Sequence, residues 1–209
     1  MPAEPGFKRA VAFFDGQNLF HAARAVFGST YPDYDPTAIA GAVCRIKGWG
    51  LVQARFYTSV PSERVDPFWQ AFWTAKLEAM RRRGVHVSWR ELHYHTEWVT
   101  LPDGGTVHVR CGREKGIDVR IALDMVRLAL SDGYDVALLF SQDQDLAEAA
   151  AEVREISSAQ QRWIKVASAY PWSASFQHTR GVNGTEWVRM EEETYAACVD
   201  HRDYRPHPQ

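Results

Sequence analysis

Short apolar runs of strand length alternate with amphipathic stretches over most of the chain. Runs rich in apolar and β-branched residues, typical of strands buried in a sheet, lie at 10–14, 51–57, 85–90, 136–140 and 163–169. Apolar residues at helical spacing predict helices at 18–27, 37–47, 66–83, 116–131 and 143–158. Because strands and helices alternate, we predict an α/β fold with a mostly parallel, doubly wound central sheet.

The alternation is interrupted between residues 91 and 113. Two strand-like runs there flank the turn sequence PDGG, which predicts a β-hairpin inserted into the fold and standing off the main sheet. After about residue 171 the pattern weakens to a short strand at 187–190 and a final helix at 191–199, so we treat about 171–209 as a C-terminal extension. With no internal repeat and no linker, residues 1–209 are predicted to form a single domain.

The composition is that of an ordinary globular protein, with 45% hydrophobic and 24% charged residues. The formal net charge of −2 provides no global basic field for a polyanion, which weakens a nucleic-acid function without excluding it. Three scattered cysteines without a CxxC spacing favour a reducing compartment, and no stretch approaches the roughly 18 apolar residues of a membrane helix. We therefore expect a soluble, cytoplasmic protein with no membrane partner.

Four aspartates stand where strands give way to helices or where a helix begins. Asp15 follows the first strand, Asp118 lies near a helix start, and Asp143 and Asp145 follow the fourth strand. The carboxyl ends of parallel strands meet at one edge of a sheet, where ligands bind. Carboxylates gathered there repel one another unless a cation lies among them, so the pattern predicts a hard divalent ion and chemistry on phosphate. Each motif alone is equally well explained by residues that cap helix N-termini.

A fifth aspartate, Asp124, lies on the same predicted helix as Asp118. Six residues separate the two, so they do not share a helix face. Asp118, which follows Gly116 at the helix start, is the better ligand candidate. We expect Asp124 to be a solvent-facing or supporting residue outside the cluster.

Taken together, three motifs resemble those of the NYN family, a branch of the PIN-like nucleases. They are VAFFDGQNLF, EKGIDVRIALDMV and DVALLFSQDQDLAEAA, in the family's order, and they anchor residues 10 to about 155. The resemblance implies a PIN-like three-layer fold whose acidic cluster binds Mg²⁺ or Mn²⁺ and cleaves RNA. The residues that match the family's metal ligands and catalytic residues are Asp15, Asp118 and Asp143, with Asp145 completing the cluster.

The same motifs supply two supporting polar residues and one departure from the family pattern. Asn18 and Ser141 match positions that would support the substrate site. Gln142 stands where the family commonly has glycine, between the serine and the first aspartate of the last motif. A glutamine there either crowds the crevice or adds a hydrogen bond, which bears on the efficiency of cleavage.

The activity implied is that of an endoribonuclease that hydrolyses phosphodiester bonds with a metal ion and leaves 5′-phosphate and 3′-hydroxyl ends. The motifs contain no obvious protein nucleophile, so water is the expected attacking group. A different class of function stays open, a nucleic-acid-binding or regulatory module with little or no turnover, which Gln142 and the near-neutral charge favour. A phosphatase acting on a small metabolite also fits a metal site but lacks a recognisable nucleophile motif.

The expected partner is RNA, single-stranded or structured, bound by basic residues in the middle of the chain. Arg110, Arg113 and Lys115 precede the helix that carries Asp118, so we expect them to contact phosphates. Tyr94 and Trp98 of the hairpin either stack on unpaired bases or serve in packing.

Two further features have simpler explanations than the functional one. His93, His95, His108 and Cys111 suggest a zinc site across the hairpin, but strand parity places His108 and Cys111 on opposite faces. The aromatic residues of the helix at 66–83 suggest a homodimer interface, although packing in the core explains them more simply.

Overall fold

A computed structural model describes residues 2–102, 104–176 and 179–206. The elements, in chain order, are β1 (Arg9–Asp15), α1 (Gly16–Phe27), α2 (Pro36–Lys47), β2 (Gly50–Val60), α3 (Pro67–Arg82), β3 (His86–Glu91), β4 (His93–Thr100), β5 (Thr106–Arg113), α4 (Ile117–Leu130), β6 (Val136–Phe140), α5 (Leu146–Ala159), β7 (Lys165–Pro171), β8 (Glu186–Met190) and α6 (Glu192–Ala196).

The central sheet has six strands in the order β3-β2-β1-β6-β7-β8, and all neighbours are parallel. The chain runs outward from β1 to β3 and then returns to β6, on the other side of β1. The winding therefore reverses between β1 and β6, and their carboxyl ends border the crevice where doubly wound sheets bind ligands. The predicted α/β fold with a mostly parallel sheet is confirmed.

Helices cover both faces of the sheet and form the two outer layers. One apolar cluster joins the sheet to α1, α2, α3 and α6, and a second joins it to α4 and α5. In β1, Ala12 and Phe14 belong to the first cluster, whereas Val11 and Phe13 belong to the second. Burial on both faces explains why this strand is continuously apolar in sequence, and the three-layer prediction is confirmed.

The aromatic residues of α3 pack within the chain. Phe72 and Trp73 are almost fully buried in the first cluster, and Trp69 contacts Tyr31. Core packing therefore accounts for this helix, and its aromatic residues give no support to a homodimer. Across the described ranges, the helices that form are either too short or too polar to span a membrane.

Two segments lie outside the alternating part of the fold. Strands β4 and β5 form a separate antiparallel sheet, which confirms the inserted hairpin; residue 103 of its turn lies outside the described residues. The C-terminal extension adds β8, parallel to β7, and then α6. Beyond α6, Tyr204 packs edge-on against Phe72 and accepts a hydrogen bond from Arg83, so this part of the extension is held against α3.

Lys76 on α3 is a buried cation, with a side chain only 1% exposed. Its Nζ donates a hydrogen bond to the carbonyl oxygen of Tyr34 at 3.0 Å and lies 5.1 Å from the ring centroid of Tyr204. Burial lowers the pKa of Lys76 to about 8, against the opposing attraction of Asp200 and other nearby carboxylates.

We expect this lysine to make stability depend on pH in the alkaline range. The unfolded chain keeps the proton up to its ordinary pKa of 10.5 and the folded chain only to about 8, so the free energy of unfolding rises with pH between these values. The rise should approach about 3 kcal/mol, at roughly 1.4 kcal/mol per unit of pKa. Urea unfolding at several pH values, compared with Lys76→Met, measures it; parallel curves for the two proteins would contradict it.

Candidate active site

Asp15 is the last residue of β1 and the N-cap of α1, and its carboxylate is 4% exposed. Its Oδ1 accepts a hydrogen bond from the backbone N–H of Asn18 at 3.0 Å, and its Oδ2 accepts one from Ser141 Oγ at 3.5 Å. The next residue must be small, because a Cβ at Gly16 would come within 2.5 Å of the Phe56 ring and 3.1 Å of a backbone oxygen. Strand end, cap and glycine together fix the Asp15 side chain at the crevice.

The loop after β6 is tied to the end of β1 by hydrogen bonds. Asn18 Oδ1 accepts the backbone N–H of Gln142 at 2.8 Å, and Ser141 Oγ accepts that of Asp143 at 3.1 Å. Asp143 Oδ1 in turn accepts the N–H of Asp145 at 3.0 Å. These bonds hold residues 141–145 in a turn, which is why α5 begins at Leu146 and not at the predicted position 143.

A cavity of about 590 Å³ opens at this edge of the sheet. It is lined by three of the four predicted aspartates, Asp15, Asp118 and Asp143. An adjoining cavity of about 340 Å³ shares Asp15 and Asp143 with it and extends to Asn18. Asp145 is exposed and lines neither cavity, because it lies at the outer end of the turn. The structure therefore brings together three of the four predicted acids.

Glu114 is a fourth carboxylate in the cleft, and the sequence analysis missed it. It follows β5 directly, lines both cavities, and accepts a hydrogen bond from the backbone N–H of Ser59 at 2.9 Å. Ser59 lies near the carboxyl end of β2, so Glu114 bridges the hairpin and the sheet. The only sequence signal is an acid directly before Lys-Gly-Ile-Asp, at the junction between hairpin and helix.

The four acids form a concentration of negative charge. Burial, together with the charges of Glu114 and Asp143, raises the pKa of Asp15 to about 7, against the opposing hydrogen bonds from Asn18 and Ser141. Burial likewise raises the pKa of Glu114, with Asp118 and Asp143 adding to the effect. Oxygen-only donors with uncompensated charge suit a hard divalent cation. Within the described residues, no three His, Cys, Asp or Glu side chains already stand close enough together to share an ion.

Cationic and imidazole side chains line the larger cavity together with these acids. They are Arg113 and Lys115, and His93 and His95 of the hairpin. Arg110 does not line it, and its guanidinium lies instead 5.0 Å from the ring centroid of Tyr94. Two of the three basic residues expected at the substrate site are therefore at the cleft.

The hairpin does not assemble the zinc site that its histidines suggest. His95 is paired with Cys111 across the two strands, whereas His108 is paired with Trp98 on the other face. His95 Nε2 lies 2.5 Å from Glu97 Oε1. The parity argument from the sequence agrees with this arrangement.

Asp124 lies outside the cleft, as the spacing from Asp118 indicates, but it is buried and not solvent-facing. Its Oδ2 accepts hydrogen bonds from Arg55 Nη2 and Tyr57 Oη, both at 2.8 Å. Arg120 Nη2 donates to Oδ1 at 2.8 Å. Burial acts to raise the pKa of Asp124, but these hydrogen bonds and the arginine charges outweigh it and hold the pKa below its usual range.

Gln142 points away from the cavity and does not crowd it. Its Nε2 donates a hydrogen bond to the carbonyl oxygen of Arg180 at 2.9 Å. Gln144 makes two further contacts with this segment, donating to Gly181 O at 3.2 Å and accepting from Asn183 N at 3.0 Å. The glutamine that departs from the family pattern thus attaches the C-terminal extension to the loop behind the site.

The sequence model of the NYN domain matches residues 9–169, the part of the chain that contains every acidic residue of the cleft. The chain belongs to the NYN domain family. This family is part of the PIN-like nuclease superfamily, whose members are generally nucleases with RNA-related functions. No curated protein matches this NYN domain.

The solved structures that match this NYN domain are distant from it in sequence, as three of them show. A protein of unknown function from Vibrio parahaemolyticus RIMD 2210633 is 18% identical, with a TM-score of 0.44, over 97% of this chain and 98% of its own. A deacetylase of teicoplanin biosynthesis, in complex with teicoplanin, is 12% identical, with a TM-score of 0.31, over 76% of this chain and 68% of its own. Acinetobacter baumannii MurG is 8% identical, with a TM-score of 0.32, over 87% of this chain and 45% of its own. Similarity at this level says nothing about function.

Proposed function

We propose that this NYN domain is a metal-dependent endoribonuclease that hydrolyses RNA phosphodiester bonds. The observation that carries the proposal is the convergence of Asp15, Glu114, Asp118 and Asp143 on one cavity at the switch point of the sheet. Arg113 and Lys115, which line the same cavity, supply positive charge for the substrate's phosphates. A cavity lined by both acidic and basic side chains suits a site that holds a cation and a phosphodiester together.

The residues present fit Mg²⁺ or Mn²⁺. All four acids offer hard oxygen donors. Burial and the negative charges of Glu114 and Asp143 raise the pKa of Asp15, an effect that a bound cation would oppose. When bound, a divalent ion would stabilise the charge that develops on the phosphate and lower the pKa of water in the site. We assign Asp145 a lesser role, because its exposed side chain lies outside the cleft.

The chain's own polar groups have defined tasks in this proposal. Ser141 and Asn18 orient the Asp15 carboxylate and join the ends of β1 and β6. The Ser141 hydroxyl is 2% exposed and donates to Asp15, so it is not positioned as a nucleophile. Water is therefore the attacking group, and the products should carry 5′-phosphate and 3′-hydroxyl ends.

The alternative is an RNA-binding or regulatory module without turnover. In the sequence, Gln142 favours this alternative, but its side chain donates a hydrogen bond to Arg180 and leaves the cavity open. Four acids facing the cavity would also repel RNA in a module that only binds. Both points favour the enzyme. The unpaired cysteines and the RNA substrate are consistent with a cytoplasmic location.

Comparison of wild type with Asp143→Asn tests the proposal. With single-stranded RNA and Mn²⁺ or Mg²⁺, we expect the wild type to cleave internally and the variant to bind RNA at least as well while cleaving far more slowly. EDTA should abolish cleavage by the wild type. Binding without metal-dependent cleavage would support the regulatory module, and undiminished cleavage in EDTA would contradict a metal-dependent site.

A further inference from the structure

The hairpin formed by β4 and β5 is exposed on both sides. Most of its residues are exposed, and Trp98, at 69%, is the most exposed of the large hydrophobic residues that the structure describes. Two-stranded sheets are marginally stable on their own in water, and a tryptophan ring left in solvent forgoes most of its burial energy. The hairpin therefore presents surface that a ligand would cover.

The two sides of the hairpin differ in chemistry. Directly paired residues of an antiparallel sheet point to the same side, and alternate residues point to opposite sides. The pairing gives one side, here called the aromatic face, which carries Tyr94, Thr96, Trp98, Thr100, Thr106, His108, Arg110 and Gly112. All eight are described residues, and none of them is acidic or aliphatic. The opposite side carries Glu97 and the valines Val99, Val107 and Val109.

The aromatic face is a row of flat groups. The Arg110 guanidinium lies over the Tyr94 ring, and the Trp98 ring packs against His108. Tyr94 is anchored, because its hydroxyl accepts the backbone N–H of Ser62 at 3.1 Å. Tyr94, with Arg110 over its ring, is therefore fixed to the body of the protein, while Trp98 and His108 extend into solvent.

This face continues from the proposed cleft. Tyr94, the innermost residue of the face on β4, lines the larger cavity, and its partner Gly112 on β5 lines the adjoining one. Trp98 lies four residues further along β4, or roughly 13 Å at the rise of an extended strand. An RNA strand that leaves the cleft along the hairpin would reach Arg110 first and Trp98 next.

We propose that the aromatic face binds unpaired bases of RNA by stacking, beside the cleft where the backbone is cleaved. Stacking on aromatic and guanidinium planes is how proteins hold single-stranded nucleic acid, and it requires bases that are not already paired. The inference rests on the proposed function for its choice of RNA as ligand. Stacking on this face would make the enzyme selective for single-stranded segments longer than the few nucleotides that the cleft holds.

The composition of the face favours nucleic acid over a protein partner. Protein interfaces usually have an apolar core, and the aliphatic residues of this hairpin lie on the opposite side. The aromatic face instead combines rings with a cationic guanidinium, an imidazole and three threonine hydroxyls, and has no carboxylate to repel phosphate. Charge and shape both suit a single strand.

The test is binding of a single-stranded RNA of about ten nucleotides that contains 2-aminopurine, whose fluorescence is quenched by stacking, in buffer with EDTA. Trp98→Ala should weaken binding about 5- to 100-fold and reduce the quenching, the range expected for loss of one stacked base. Trp98→Phe, which keeps an aromatic ring, should retain most of both. Arg110→Lys, which keeps the charge but loses the plane, should weaken binding, whereas Val99→Ala on the opposite side should not.

A matched oligonucleotide with abasic sites separates stacking from a general effect. Because it offers no bases to stack, wild type and Trp98→Ala should bind it equally. Two results would overturn the proposal and leave a protein partner as the better occupant of the face. One is equal affinity of the two proteins for the base-containing RNA, and the other is a loss of affinity in Trp98→Ala that is as large for the abasic RNA. The measurement needs no cleavage, so a failure of the nuclease proposal appears separately, as the absence of metal-dependent cleavage by the wild type.

Discussion

Replacing Asp15 with asparagine is expected to lower the rate of RNA cleavage by at least about 100-fold at saturating Mn²⁺. Asp15 is the most buried acid of the cleft and contacts both the start of α1 and the loop after β6. Asparagine keeps the shape and the acceptor oxygen that caps α1, so the local fold should persist. What the variant loses is the negative charge that would hold a divalent ion.

The matched control is Asp145→Asn, which makes the same chemical change at an exposed position outside the cavity. We expect a loss of less than about 10-fold there. Single-turnover cleavage measures both variants without interference from product release. Equal losses in the two variants would contradict the placement of the site, and a fully active Asp15→Asn would remove Asp15 from it.

Asp15→Asn should not be less stable than the wild type in EDTA. The pKa of Asp15 is raised to about 7 in the folded protein from an ordinary value of 3.8, so its ionised form opposes folding, and this effect is complete above pH 7. Asparagine removes that cost. Thermal unfolding of the two proteins above pH 7 therefore separates a catalytic defect from a folding defect, because a functional charge often costs stability.

The second large effect is expected for stability, at Asp124. Asp124→Ala removes the acceptor of Arg55, whose guanidinium is almost fully buried, and of the Tyr57 hydroxyl. A buried charge left without its partner typically costs about 3–5 kcal/mol. We expect a loss of that order in the free energy of unfolding, measured by urea denaturation.

The control for Asp124 lies on the same helix. Asp118→Ala makes the same truncation six residues earlier, at a partly exposed position that lines the cavity. It should change stability little and cleavage strongly, whereas Asp124→Ala should destabilise the protein. A loss of stability in Asp124→Ala no greater than that in Asp118→Ala would show that the buried network contributes little.

Most of the architecture was readable from the sequence because it follows local rules. Continuous apolar strands and amphipathic helices predicted the parallel sheet and its two helical layers, and the PDGG turn predicted the hairpin. The positions of Asp15 and Asp143 followed from strand ends at the switch point of the sheet. Asp118 followed from its position in the first turn of a helix and from the family resemblance.

The parts that were missed depend on contacts between distant segments. Glu114 enters the cleft because the hairpin returns the chain beside the end of β2, where Ser59 donates to the carboxylate. No local pattern encodes that contact. Asp145 was expected to complete the acidic cluster, but the hydrogen-bonded turn leaves it at the outer end, in solvent. Gln142 was expected either to crowd the crevice or to add a hydrogen bond. It does the second, because its side chain donates to the carbonyl oxygen of Arg180 in the C-terminal extension, a contact that no local pattern encodes.

The proposed function requires that the acids of the cleft hold a divalent cation. A crystal structure of the protein grown or soaked with Mn²⁺, with anomalous data collected at the manganese edge, tests it most directly. We predict an anomalous peak in the larger cavity, coordinated by Asp15 and Asp143 together with Glu114, Asp118 or both. A cleft without a manganese peak at a saturating concentration, or a peak bound elsewhere, would contradict the claim.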